Sequence, residues 1–356
     1  MKILHLAAGN RWTGAAAPAF AEVEALRAAG VEAHYAYVGG YRLQTKLAGA
    51  GFAHPIIEKA QNPVAFVKTV AAVRRIIDRE HIDFIHAHLT YDHSLARFAA
   101  RGRKVKIART FHSRRTLRTD AYTRTLLRRT ERILVVNDTF RTSPGLGGRF
   151  AHYTPPPLDE RLFSPDGPNA RRTLGLDEGV PVVAVIGKIV PGRGFESALR
   201  TFAHARTSTP GAKLMIIGHA RQHKAALESL AYELGVGGDV IWAGYHEEDL
   251  AEYYRAANAL LFTAPGSDEG HRAVIEALGC GIAAATFPVE GVEAVLGPAL
   301  TPRLMARTME PQDLAQIVAS VLRDGTPLRA QIIERARHFH YAPSARRLIA
   351  AYQDSV

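Results

Sequence analysis

Along the first half of the chain, short runs of apolar, often β-branched residues alternate with longer stretches in which apolar positions return every three or four residues. The short runs cover residues 3–7, 33–38, 84–87, 106–110 and 133–136 and predict strands. The longer stretches predict helices, among them 16–29, closed by Gly30, and 64–79. Pro18 falls in the first turn of the earlier helix, where a missing N–H breaks no bond. A strand–helix–strand rhythm of this kind argues for an α/β fold with a parallel, doubly wound sheet.

The rhythm breaks at Tyr153-Thr154-Pro155-Pro156-Pro157-Leu158-Asp159-Glu160-Arg161-Leu162-Phe163-Ser164-Pro165, a proline-rich segment that predicts a semi-rigid linker. A second series follows, with strands predicted at 182–186, 213–217, 240–242, 259–263 and 282–285. No repeat of 20–50 residues is visible. The expected organisation is two Rossmann-like domains facing across a cleft, residues 1–154 and 166–339 joined by 155–165. The last helical run, 344–352, could return to the first domain, carrying residues from about 340 to 356 with it.

Composition narrows the class. A chain of 356 residues that is 47% hydrophobic and 22% charged is globular. Its one cysteine, Cys280, excludes an internal disulfide and fits a reducing compartment. The opening Met1-Lys2-Ile3-Leu4-His5-Leu6 reads as a first buried strand and not as a signal peptide. No run of about 18 apolar residues predicts a membrane span. The net charge of +11 is uneven: residues 1–160 hold 25 Lys+Arg against 13 Asp+Glu, and residues 161–356 hold 20 against 21. Residues 97–132 alone hold 13 basic and 2 acidic side chains, a patch that attracts an anionic partner.

Candidate chemistry lies in the second half. Gly187-Lys188-Ile189-Val190-Pro191-Gly192-Arg193-Gly194-Phe195-Glu196 sits between a predicted strand and a predicted helix. Gly187 and Gly194 permit tight backbone geometry, and helix N-terminal amides with two cations suit a diphosphate. Asp268-Glu269-Gly270 and then Glu276 follow about 75 residues later. Phosphate-binding cations ahead of spaced acids point to an enzyme that uses a nucleotide-sugar.

With these motifs in order, the chain resembles the GT-B-fold retaining glycosyltransferases of family 4 (glycosyltransferase group 1) nearly end to end. Pro155–Pro165 is similar to the family's P-N-G-V-D-x-x-x-F-x-P linker, with Pro156-Pro157-Leu158 replacing Asn-Gly-Val. Residues 187–195 resemble G-R-L-x-x-x-K-G-x, Lys188 and Arg193 exchanging the usual Arg and Lys. At 214–218 the family's second strand of this domain is matched, but His219-Ala220 replaces its common turn. Residues 240–244 and 250–257 resemble V-x-F-x-G and E-L-x-x-Y-Y-x-x-A, and 267–281 resemble the E-x7-E segment. Thr13-Gly14-Ala15 falls at the Gly-rich donor loop, although Ala15 and Ala17 replace its second Gly and nearby Glu. His86-Ala87-His88 and Thr110-Phe111-His112 match the D-x-x-H-A-H and T-x-H elements.

The resemblance implies transfer of a hexose-like sugar from a nucleoside diphosphate donor to an acceptor hydroxyl, with retention and without a metal. Lys188 and Arg193 would neutralise the departing β-phosphate. Glu276 would accept from the ribose hydroxyls and Glu269, or Asp268 as fallback, from the sugar. His112 would lie beside the transferred sugar. Donor contacts would come from Thr13, Gly14, Gly187, Lys188, Arg193, Gly218, Tyr245, Asp268, Glu269, Gly270, His271, Arg272, Ala273 and Glu276. No D-x-D motif is present to place a metal on the diphosphate. His86, His88, His93 and His112 could together supply zinc ligands, but no acid or cysteine clusters with them in sequence, so no metal or other cofactor is expected.

In the basic stretch, Arg114, Arg115, Arg118, Arg124 and Arg128 form the expected acceptor or membrane patch. Leu117, Ala121, Tyr122, Leu126 and Leu127 are interleaved as in an interfacial helix. The expected partner is a lipid-linked or phosphorylated envelope glycan, met by a cytoplasmic enzyme peripheral on the inner face of the membrane. An epimerase or phosphorylase on the same fold remains an alternative. A nucleic-acid-binding protein, prompted by the basic charge, is a remoter one, because no aromatic-basic RNA motif accompanies the patch.

Overall fold

The computed structural model describes the chain except for residues 10–13, 42–43, 46, 60–61, 220–222, 265–268, 325 and 355–356. It divides into two compact units: residues 1–157, 267–270 and 340–356 form the first, and 158–266 and 271–339 the second. Among the described residues, no helix is long and apolar enough to cross a membrane.

The first unit is built on seven parallel strands: β1 (Lys2–Ala7), β2 (Glu32–Val38), β3 (Ala53–Ile57), β4 (Phe84–Ala87), β5 (Lys106–Phe111), β6 (Arg132–Val135) and β7 (His152–Tyr153). Their order is β3-β2-β1-β4-β5-β6-β7. Helices α1 (Ala16–Ala28), α2 (Pro63–Glu80), α3 (Thr90–Ala99) and α4 (Ala121–Leu127) lie between them in sequence. Side chains alternate across a strand, so β1 feeds two cores. Leu4 and Leu6 pack with Val73 and Ile77 of α2 and Leu95 of α3. Ile3 and Ala7 pack on the other face with Val23 and Leu26 of α1.

The second unit has five parallel strands, β8 (Val182–Ile186), β9 (Lys213–Ile217), β10 (Val240–Gly244), β11 (Ala259–Phe262) and β12 (Ala283–Thr286), in the order β10-β9-β8-β11-β12. Its helices are α5 (Phe195–Arg206), α6 (Lys224–Glu233), α7 (Leu250–Ala256), α8 (Arg272–Gly279), α9 (Val292–Leu304), α10 (Pro311–Asp324) and α11 (Arg329–Arg337). The same alternation splits β8: Val182 and Ala184 face a core built from α7, α8, α9 and α11. Val183 and Val185 face one built from α5, α6 and α10. The proline-rich segment is not a loose tether: Leu158 is buried in the first of these cores, and its N–H donates to Phe339 O at 2.7 Å. After α11 the chain returns to the first unit as α12 (Tyr341–Gln353), which buries Leu348 and Tyr352 beside Ile3 and Val23.

Candidate active site

In an open parallel sheet, ligands bind past the carboxyl ends of the strands where the strand order reverses. In the second unit that point lies between β8 and β11. Gly187 N, just past β8, donates to Ile217 O at 3.0 Å, and Gly218 N, just past β9, donates to Gly244 O at 2.7 Å. A Cβ on Gly218 would lie 1.9 Å from Gly187 O, so only glycine fits where the two strand ends meet. The turn then exposes Lys188, half-buries Arg193, and closes at Gly194, which caps α5 at φ 78°. Thr263 Oγ1, just past β11, donates to Gly194 O at 2.8 Å. That bond ties together the two loops flanking the switch point. Past β9 and β10, His219 and Tyr245 stack with ring centroids 4.4 Å apart, and Tyr245 OH donates to Glu247 Oε2.

The connection after β11 leads into α8. Its cap, His271, is left-handed (φ 55°), supplies no side-chain cap, and leaves a first turn free of acids. Amides at such a terminus suit an anion. His271 Nε2 lies 3.0 Å from Glu290 O and donates to it, and burial pushes the ring down to about 4, so it is neutral. Gly270 and Ala273 flank this cap. One turn into α8, Glu276 accepts from Tyr254 OH at 2.9 Å and pairs with Arg272 Nε at 3.0 Å, four residues back. Burial raises the Glu276 carboxyl above its ordinary range, and Arg272 and Tyr254 oppose the rise.

The first unit reverses its order between β1 and β4. Here the staple is Asp92, fully buried, whose Oδ1 and Oδ2 accept from Ala8 N (2.9 Å) and Leu89 N (2.8 Å). Burial pushes this carboxyl up to about 7, against the pull of the buried Arg109 guanidinium. The same unit buries four further histidines at β1, β4 and β5. His112 Nε2 lies 3.0 Å from His88 Nδ1, and His88 Nε2 lies 3.0 Å from His5 Nδ1. His86 meets Thr110 Oγ1 at 2.7 Å and Tyr352 OH at 2.5 Å. Burial holds His5 and His112 down at about 3 and His86 and His88 well below their usual value, so all four rings are neutral. His93 belongs to a separate contact, with Thr130 Oγ1 at 2.7 Å.

Glu269 joins this unit. Its N–H donates to His112 O at 3.0 Å, its Oε1 accepts from Ser113 Oγ (2.6 Å) and Arg114 N (3.1 Å), and Asn137 Nδ2 donates to its carbonyl at 3.0 Å. The structure thus brings His112 and Glu269 together. It gathers Gly187, Lys188, Arg193, Gly218, Tyr245, His271, Arg272, Ala273 and Glu276 in the second unit. Gly14 is left-handed (φ 65°) in the turn before α1. Thr13 and Asp268 lie outside the described residues. Sequence reasoning missed Asp92, Ser113, Asn137 and Tyr254, each of which holds a candidate residue or loop in place. A faint signal existed for Asp92, three residues after Leu89 at a helix start, where a carboxylate finds free amides.

The interfacial helix expected in the basic stretch is not formed. α4 covers only Ala121–Leu127, and Leu117, Leu126 and Leu127 are buried. Leu117 and Leu127 pack with Phe111, Ile133, Val135 and Phe140, because β5 and β6 on either side need that cover. Ala121 and Tyr122 remain exposed, too little for an apolar face. Arg115, Arg118, Arg124 and Arg128 are exposed, whereas Arg114 is half-buried, bonded to Thr139 Oγ1 and stacked over Phe140.

Two doubly wound parallel-sheet units with their candidate residues beyond the switch-point strand ends define a GT-B architecture. Solved structures agree. A glycosyltransferase from Rickettsia africae superposes with a TM-score of 0.80 at 15% identity, covering 99% of this chain and 97% of that one. Anabaena Alr3699/HepE, solved with UDP and glucose, gives 0.79 at 17% identity over the full length of both. The family follows from sequence. The model described as "Glycosyl transferases group 1" matches residues 166–339, and "Glycosyltransferase Family 4" matches 12–143. The chain belongs to the group 1 glycosyltransferases of family 4. A D-inositol 3-phosphate glycosyltransferase of Segniliparus rotundus is 30% identical over 208 residues, 56% of this chain. The match spans about half, 46%, of that relative's length.

Proposed function

We propose that the chain transfers a hexose-like sugar from a nucleoside diphosphate sugar to an acceptor hydroxyl, with retention at the anomeric carbon. The observation that carries this reading is the stapled pair of loops at the β8–β11 switch point, which holds the turn bearing Lys188 and Arg193 against Thr263. Breaking the glycosidic bond leaves charge on the diphosphate, and preorganised cations and helix amides stabilise it more than they stabilise the neutral-bond ground state. Lys188, Arg193 and the first turns of α5 and α8 play that part, which leaves the diphosphate no need of a metal. Glu276, oriented by Tyr254 and Arg272, accepts from the ribose diol. His112 and Glu269 take the hydroxyls of the transferred sugar. Among the described residues no carboxylate stands as a nucleophile paired with an acid, which favours front-face departure, the leaving phosphate oxygen drawing the proton from the acceptor.

The acceptor in this reading carries phosphate, either free or on a lipid-linked envelope glycan at the inner face of the membrane. Exposed Arg115, Arg118, Arg124 and Arg128 favour an anion, and the Segniliparus relative is named for a phosphorylated acceptor. Attraction to a lipid surface would be mainly electrostatic, since Leu117, Leu126 and Leu127 are buried and the exposed Ala121 and Tyr122 are too few for an apolar face. A thermal-shift panel of UDP, GDP and ADP, with and without magnesium, tests the donor site. One diphosphate should raise the Tm regardless of magnesium, and a silent panel with Lys188→Ala indistinguishable from wild type sinks the reading. Sedimentation with phosphatidylglycerol vesicles at low salt tests the membrane part, which fails if no protein pellets.

A further inference from the structure

Inside the first unit, four groups on three different elements point at one another: His5 on β1, Glu22 on α1, His86 on β4 and His88 just past it. All four are buried. One ligand atom from each lies within 4.8 Å of the others. Glu22 Oε2 is 3.8 Å from His5 Nδ1, 3.7 Å from His86 Nδ1 and 3.9 Å from His88 Nε2, and His5 Nδ1 is 3.0 Å from His88 Nε2. Zn–N and Zn–O bonds of about 2.0–2.2 Å in a tetrahedron set its ligand atoms about 3.3–3.6 Å apart, and the observed separations bracket that. Sequence reasoning passed over this set because it looked for an acid among neighbouring residues, whereas Glu22 arrives on a different helix.

We propose that His5 Nδ1, Glu22 Oε2, His86 Nδ1 and His88 Nε2 bind one zinc ion in a closed, structural site. Three imidazoles and one carboxylate form a common zinc donor set, and solvent exclusion favours four-coordination without a bound water. The imidazoles are held neutral, the state in which they ligate. The outward nitrogen of each ring also faces an acceptor, as metal-bound histidines require. His86 Nε2 faces Thr110 Oγ1 (2.7 Å), His88 Nδ1 faces His112 Nε2 (3.0 Å) and His5 Nε2 faces Tyr352 OH (3.5 Å). Binding exchanges two bonds for the metal, that between Tyr352 OH and His86 Nδ1 and that between His5 Nδ1 and His88 Nε2. With His88 donating from Nδ1, His112 accepts at Nε2 and keeps its own proton on Nδ1. The value of that fixed tautomer rests on the proposed function, but the metal site does not.

The test uses the full chain purified without metal-affinity resin from zinc-supplemented medium. Elemental analysis should find about one zinc per chain, chelation should lower the Tm, and one equivalent of zinc should restore it. Cobalt should give the intense visible bands of a tetrahedral site. Glu22→Gln and His5→Asn should lose the ion. His34→Asn should keep it, because His34 belongs to a separate, partly exposed group with Glu32 and Glu80. Folded protein that takes up neither zinc nor cobalt overturns the site, as does zinc retained by both ligand variants or lost in His34→Asn. If a ligand variant fails to fold, the wild-type cobalt spectrum decides. Zinc uptake with a silent nucleotide panel would keep this site and overturn the proposed function, and the converse result would do the opposite.

Discussion

The two switch points solve the same topological problem with opposite materials. In the second unit the staple is a hydroxyl, Thr263 Oγ1 on Gly194 O, and the turn it anchors puts Lys188 into solvent. In the first unit the staple is a buried carboxylate, Asp92, and the strand ends beside it carry the histidines at 5, 86, 88 and 112, all shut away from water. One face presents an exposed cation past its strand ends, the other holds a buried polar network. The lesson is that equivalent positions in two similar folds need not share a chemistry, because the fold fixes where loops converge and not what they carry.

Acid should separate the units most strongly. In the metal-free protein, the first unit buries five neutral histidines, His5, His86, His88, His93 and His112, all with folded pKa values below the ordinary 6.5. The unfolded chain therefore binds more protons below pH 6.5, and stability falls as the pH drops from there towards about 3. His5, His93 and His112, each held down at about 3, contribute about 1.4 kcal/mol per pH unit across that window, and His86 and His88 act in the same direction. Asp92, raised to about 7, acts with the opposite sign, but it is one group against five. In the second unit, lowered His271 is opposed by raised Glu276. A bound zinc would not reverse the direction, since protonating its ligands releases it. Hydrogen exchange between pH 7 and 5 should show β1, β4 and β5 opening before β8 and β9. Simultaneous loss of both would break the comparison.

The next largest effect belongs to the second unit. Gly218→Ala forces a Cβ to 1.9 Å from Gly187 O, a backbone atom, at a φ of 154°. Overpacking of this kind costs about 3 kcal/mol and should displace the Lys188 turn as well. A denaturant melt should show the loss, and nucleotide binding should vanish with it. Lys188→Ala is the clean partner experiment, because the side chain is exposed and its removal should leave the melt unchanged. Its expected cost is about 10- to 100-fold in kcat/KM, about 1.4–2.8 kcal/mol of stabilisation for the leaving diphosphate. An unchanged kcat/KM would remove Lys188 from the chemistry.

Much of this was legible in sequence, for identifiable reasons. The central strands of the second sheet are continuous apolar runs and those of the first are apolar runs interrupted by His5, His86, Arg109 and Thr110, since helices cover both faces, and they stand within a residue or two of where the pattern puts them. Missed were the two edges of the first sheet. β3 contains Pro55, which a central strand would reject, and β7 is two residues long. The glycines at 187, 194 and 218 were legible because close approach leaves a residue type behind. The partners of the site acids were not. Ser113 and Asn137 hold Glu269 across separations of more than a hundred residues, and Tyr254 reads as an ordinary core aromatic. The basic stretch misled for the same reason: a run of arginines is visible, but which intervening leucines turn inward depends on β5 and β6.

The smallest predicted effect tests whether the two site acids are positioned alike. Each accepts a hydrogen bond from one hydroxyl of its own unit: Glu269 from Ser113 at 2.6 Å and Glu276 from Tyr254 at 2.9 Å. Ser113→Ala and Tyr254→Phe remove only those hydroxyls, and the buried Tyr254 ring keeps its packing as Phe. Each loses a charge-assisted bond whose net worth is about 1–2 kcal/mol. The consequences should differ by role. Glu276 keeps Arg272 as a second support and, in the proposed function, serves ground-state nucleotide binding, so Tyr254→Phe should raise the donor KM severalfold with little change in kcat. Glu269 keeps the Arg114 amide and, in the proposed function, serves the sugar as it is transferred, so Ser113→Ala should lower kcat instead. Steady-state kinetics with the donor identified by thermal shift separates the two. If both variants move only KM, Glu269 acts as a binding group and its assignment to the transferring sugar falls.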